Sequence, residues 1–242
     1  MIKAKEFWAL MILRFLHVFA VEWSNFCLDD MRSYSIFTVA DSVLYETTWA
    51  SIISDLILIA LFFAFVSRRI LDEKRNILSE NRKTVVKKIT ADFLLFSLVN
   101  AVITTGTCVV ISRGIFGKKW INWDAPVSTC RVYNDFYIIG VSVVEVLCYA
   151  TIFWAVISMI NLGVMFIVKV ITNNSIYSLI SAVALDCVLG WGIKGLTGRF
   201  FRFGYYSFKY SNVGIGNALI YLSLFVVVII AMYKVYERKE WL

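Results

Sequence analysis

The chain has 242 residues, 60% of them hydrophobic and 16% aromatic, with one proline and a formal net charge of +7. Too little polar surface remains to coat a soluble globule of this size, which excludes an ordinary water-soluble domain. Among apolar blocks, the positive excess reads as Lys and Arg retained on the cytoplasmic side of a membrane, and no nucleic-acid partner is expected.

A hydrocarbon layer about 30 Å thick takes roughly 20 apolar helical residues to cross. Six blocks qualify. The first, Phe7–Cys27, carries Arg14, His17 and Glu22 in one helical sector, so it either spans with that sector turned inward or lies partly in the interface. Lys3 and Lys5 precede it, but no small-x-small cleavage site follows, and no cleavable signal peptide is expected. The second block, Thr48–Val66, contains Asp55.

A basic segment with eight Lys or Arg, Arg68–Lys88, comes next. Within it Ile70, Leu71, Ile77, Leu78, Val85, Val86 and Ile89 recur at helical spacing, predicting an amphipathic helix pair broken at Ser79–Asn81. From the residues alone this is either a helix adsorbed on anionic lipid or a docking surface for a cytoplasmic partner.

The third block is Phe93–Ser112, and the fourth, Phe136–Val168, includes Glu145. Its 33 residues would make about 50 Å of helix, too long for one upright span and too cramped for two. One tilted helix, bent near Phe136–Val144, is expected. The fifth block, Ser175–Ile193, contains Asp186. Between it and the sixth, Val213–Tyr233, the stretch Arg199–Tyr210 interleaves Arg199, Arg202 and Lys209 with seven aromatic rings. Beside a membrane that pattern is an interfacial girdle with snorkelling cations, and Arg199, Arg202, Tyr205 and Tyr206 are candidates for an outer gate.

Each block is continuously apolar rather than alternating, and lipid offers no partner to a lone strand, so all six are expected to be helices. The expected fold is an all-α integral membrane protein, a single transmembrane domain over residues 1–242. With both termini inside, the cytoplasmic side holds fourteen Lys or Arg and the outer side nine, which favours cytoplasmic termini in a plasma-membrane protein.

Catalytic signatures are missing. The chain has no phosphate-cradling glycine loop with Lys, and its lone histidine, His17, cannot build a multi-histidine metal site. Gly140 and Ser142 lack the second glycine of a nucleophile elbow, Val144 standing in its place. Cys27, Cys108, Cys130, Cys148 and Cys187 form no C-x-x-C pair; Cys27 and Cys130 are either a disulfide or, like the others, reduced thiols. No enzyme activity, cofactor or metal is expected on the chain itself. Arg14, His17, Asp55, Glu145 and Asp186, each costly in lipid, are candidates for a translocation pathway or for mutual pairing.

The run Ser67–Ile89 resembles the coupling region in permease subunits of type-two ATP-binding-cassette exporters. There an acidic residue after the second span, here Glu73, leads into a short helix ending in Leu-Ser, here Leu78-Ser79, and then a basic turn, here Arg82-Lys83. The very short turn Lys169–Asn174 after a long fourth span and the tail Tyr236–Glu240 agree with that layout. Arg75-Asn76 replaces the family's usual Gly-Thr, and its turn proline is absent.

The resemblance implies a membrane permease moving a peptide, antibiotic or other amphiphile outward. It implies a second permease subunit, identical or related, and a separate ATPase carrying ATP and Mg. Glu73, Ile77, Leu78, Arg82 and Lys83 would couple to that ATPase. The alternatives are a six-span substrate-binding subunit of a vitamin or metal importer and a non-transport membrane scaffold.

Overall fold

The computed structural model describes residues 4–31, 37–46, 49–72, 82–128, 138–191 and 211–238. The helices are α1 (Ala4–Met31), α2 (Val39–Glu46), α3 (Trp49–Asp72), α4 (Arg82–Val109), α5 (Val143–Thr172), α6 (Ser175–Trp191) and α7 (Ser211–Arg238), with a π-helical turn at Val110–Ile115 continuing α4. Among the described residues, four stretches are long and apolar enough to cross a membrane: Lys5–Cys27, Arg82–Ile115, Val143–Thr172 and Leu219–Arg238. Asp55–Ser67 and Ser175–Val188 are shorter apolar helices. The fold is all-helical, as fits a helical membrane protein.

The long helices run up and down past one another. Ring contacts fix the directions: Phe62 stacks on Phe96 at 3.9 Å and Phe93 meets Phe166 edge-on, so α4 is antiparallel to α3 and α5. Phe153 meets Tyr221 and Phe166 stacks on Tyr236, so α7 runs parallel to α5. Arg14 bonds Thr104 and, further along both segments, Trp23 contacts Phe116, so α1 and α4 run the same way. The first turn of α1, the start of α4 and the last turn of α7 therefore share one end of the bundle, the Arg82 end; α2 and Trp123 mark the other.

The bundle carries large apolar side chains on its outside as well as in its core, and a polar cluster within it. Ile57, Leu98, Val102, Ile152, Leu222 and Val227 point outward, more than half exposed, whereas Arg14, Asp55, Asn100, Ser158, Asn161 and Asp186 are buried. Water would reject the first set, and hydrocarbon solvates it at no cost.

Gly163 of α5 is where α7 comes closest. A Cβ there would overlap Val228 Cγ1 and lie 3.2 Å from Met232 Sδ, so only glycine permits this approach.

Helix ends depart from the sequence-based boundaries for local reasons. The fourth block starts its helix at Val143, not Phe136, because Ser142 and Glu145 form a reciprocal capping box. The helix runs on past Val168 to Thr172 and stops where Asn173 takes a left-handed φ of 54°. Lys169 Nζ donates to Asn173 O and Ser175 Oγ, closing the tight turn to α6.

The second half of the amphipathic pair expected in the basic loop is not a separate helix. From Arg82 it forms the foot of α4, with Val85, Val86 and Ile89 buried in the main core. Likewise α3 continues to Asp72. Glu73, Ile77 and Leu78, with the gate residues Arg199, Arg202, Tyr205 and Tyr206 and the thiol Cys130, lie outside the described residues.

A short helix, α2, stands between the first and second apolar blocks. Val39–Leu44 of α2 are buried at the Trp123 end, packed with Val18, Cys108, Trp123, Ile138, Val146 and Ala150. Thr38 caps α2: its N–H and Oγ1 both donate to Asp41 Oδ2, at 2.7 and 2.6 Å. The N–H groups of Val39 and Ala40 donate to the carbonyls of Lys119 and Trp120, each at 3.0 Å, so the buried helix start is satisfied by the loop after α4.

Candidate functional site

Four of the six expected intramembrane charges lie among buried polar groups in the middle of the bundle. From α1, Arg14 Nη1 reaches Asp55 Oδ1 of α3 at 3.2 Å, and both side chains have zero exposure. Arg14 Nε donates to Thr104 Oγ1 of α4 at 2.9 Å, and the Thr104 hydroxyl in turn donates to the Asn100 carbonyl at 2.8 Å. The guanidinium lies 4.9 Å from the ring centroid of Trp154 on α5, a cation–π contact. One arginine thus ties four helices.

His17, one turn on and half-buried, places Nδ1 3.1 Å from Arg14 Nη1. A guanidinium only donates, so Nδ1 accepts, which puts the ring's proton on Nε2 and leaves the imidazole neutral.

Asn100 extends the network. Its Nδ2 donates to Asp55 Oδ2 at 3.0 Å and lies 3.4 Å from Ser158 Oγ of α5. One turn further along α5, Asn161 Nδ2 donates to Asp186 Oδ2 of α6 at 3.0 Å. All five side chains are buried.

An uncompensated carboxylate or guanidinium in a low-dielectric interior costs several kcal/mol, and pairing with supporting hydrogen bonds offsets that cost for Arg14 and Asp55. Such a cluster can lock helices in register, hold a small ion, or offer a polar step to a passing solute. Among the described residues no three His, Cys, Asp or Glu gather as metal ligands.

Two charged residues fall elsewhere. Glu145 is exposed at the start of α5, where its carboxylate accepts from Ser142 N–H at 3.1 Å and its own N–H donates to Ser142 Oγ at 3.2 Å. It is a helix cap, away from the polar interior. Glu22 is buried at the Trp123 end and accepts from Ser42 Oγ of α2. There Trp123 Nε1 also donates to Asp41 Oδ1 at 2.9 Å, so α2 is tied in place through both its acid and its serine.

At the opposite end, Arg82 Nη1 donates to the Glu237 carbonyl at 2.8 Å and Lys83 Nζ sits 3.6 Å from the Glu237 carboxylate. The cations lie at the C-terminal end of α7, where the helix dipole favours positive charge. The Lys83 pair is exposed and worth at most about 1 kcal/mol.

Sequence reasoning found Arg14, His17, Asp55 and Asp186 but missed Asn100, Thr104, Trp154, Ser158 and Asn161. An asparagine within an apolar block was the available signal, because its amide also needs a partner in lipid. No protein-family model, curated protein or solved structure matches this chain.

Proposed function

We propose that the chain is the membrane permease subunit of an ATP-driven exporter, with all six apolar helices spanning the bilayer and both termini in the cytoplasm. ATP is hydrolysed on a separate ATPase, and two permease subunits, alike or related, form the transporting unit. The cargo class that suits it is a peptide, antibiotic or other amphiphile.

The observation that carries this reading is the composition of the Arg82 end. The start of α4 and the end of α7 come together there, with Arg82 and Lys83 held by Glu237, and the segment joining α3 to α4 leads into that end. A push on the segment around Glu73, Ile77 and Leu78 would therefore reach α3, α4 and α7 directly. The foot of α4 is rigidly packed through Val86 and Ile89, which is what transmission of force requires. ATP binding shifts a two-state bundle only if the partner prefers one state, so the contact has to be specific.

The polar interior of Arg14, His17, Asp55 and Asp186 supports a transport role over a purely structural one, since apolar packing would stabilise a static bundle as well or better. The first helix also lacks the small-residue face with which a six-span importer subunit would meet a scaffold; it presents Trp8, Ile12, Leu13 and Leu16 outward.

The test is reconstitution in proteoliposomes. The chain alone is expected to hydrolyse no ATP, and the chain purified with an ATPase encoded beside it is expected to do so. Failure of any neighbouring ATPase to associate would remove the exporter reading and favour a membrane scaffold.

A further inference from the structure

We propose that the oxygens of Asp186, Asn161 and Asn100 form a binding site for one small monovalent alkali cation of the sodium type. The inference stands on the polar interior alone and does not depend on an ATPase partner.

The hydrogen bonds fix which way the amides face. Asn161 Nδ2 serves Asp186 Oδ2 and Asn100 Nδ2 serves Asp55 Oδ2; reversing either amide would set oxygen against carboxylate oxygen. The remaining oxygens, Oδ1 of Asp186, Oδ1 of Asn161 and Oδ1 of Asn100, meet no donor among the described residues, and all three side chains have zero exposure. Asn100 contacts Ser158, which lies one turn from Asn161 on the same face of α5, so the two asparagines are near neighbours in the bundle.

Charge points the same way. Arg14 and Asp55 neutralise one another, and among the described residues no Lys or Arg pairs with Asp186. Asp55 of α3 and Tyr221 of α7 both interact electrostatically with Asp186, and neither supplies positive charge.

An ionised Asp186 would leave one uncompensated negative charge in the interior, which calls for one positive charge. A proton on Asp186 would cancel the charge but provide a single O–H for three acceptors. A bare cation held among these side chains would need no donor from any of them and could take all three oxygens as ligands. The donors are exclusively oxygen, the set preferred by hard cations, and a net charge of one selects a monovalent ion over calcium or magnesium.

The full chain in lipid nanodiscs tests this by equilibrium binding of radioactive sodium and by thermal unfolding in sodium chloride against choline chloride at equal ionic strength. One sodium per chain is expected, with a saturable rise in Tm in sodium only. Asp186→Asn should abolish both, and Asn161→Ala should weaken sodium binding about tenfold or more while leaving the fold intact. Three results would overturn the assignment: no sodium-specific binding by the wild-type chain, undiminished binding by both variants, or full stabilisation in choline on acidification with no sodium bound.

Discussion

Arg14 and Asp55, 41 residues apart in sequence, form an ion pair of 3.2 Å with neither side chain exposed. Removing one partner strands the other charge in a low-dielectric interior. Arg14→Met or Asp55→Leu alone should each destabilise the bundle by about 3–5 kcal/mol, whereas the double replacement should recover most of that loss. Thermal unfolding of the four proteins in detergent gives the cycle. Additive losses would mean that the pair is not a coupled unit.

Close packing at Gly163 makes a second prediction. Gly163→Ala forces a methyl group into Val228, whose branched side chain has little freedom to move. A loss of about 1–3 kcal/mol is expected, and Val228→Ala in the same chain should relieve most of it. Unfolding midpoints check both, and a neutral Gly163→Ala would show that α5 and α7 are not held this tightly.

The buried α2 is held by the hydrogen bond from Trp123 to Asp41. Trp123→Phe removes this donor and takes one hydrogen bond from a buried carboxylate, costing about 1–3 kcal/mol. Loosening should be local: a cysteine placed at the buried Val43 should react with a thiol reagent faster in the Trp123→Phe background. Equal rates would show that other contacts suffice to hold α2.

Much of this was legible in the sequence, and the reasons for the misses are specific. Long apolar blocks dictate helices in lipid whatever their neighbours, so the positions of α1, α4, α5 and α7 could be read directly. A charge inside such a block has to find a partner, which singled out Arg14, Asp55 and Asp186. Which helix supplies that partner is a question of long-range packing, and helical spacing within one block says nothing about it. Asn100 and Asn161 went unnoticed for that reason.

Glu145 was misplaced although Ser142 three residues before it spells a capping box. A carboxylate at a helix start needs no polar interior. The eight residues of α2 are too few for a span, and only Thr38 and Asp41, a capping pair, hinted at a helix there.

The proposed cytoplasmic termini would put the shared end of α1, α4 and α7 on the inner side of the membrane. In a cysteine-free background, Lys83→Cys, at the exposed foot of α4, should be protected from an impermeant thiol reagent added to intact cells, and Val127→Cys, exposed at the other end, should be labelled. Labelling in the opposite sense would invert the orientation.

The most direct measurement is affinity purification of the tagged chain from its native membranes, comparing wild type, Leu78→Asp and a variant with Lys87 and Lys88 neutralised. A docked apolar anchor typically costs about 2 kcal/mol or more when lost, roughly a thirtyfold drop in affinity. A helix merely adsorbed on lipid spreads about 1 kcal/mol over each basic residue. The wild type should retain an ATPase subunit, Leu78→Asp should insert normally but lose it, and the lysine variant should keep most of it. A wild-type chain that brings down no ATPase, or a Leu78→Asp chain that keeps a full complement, would contradict the account.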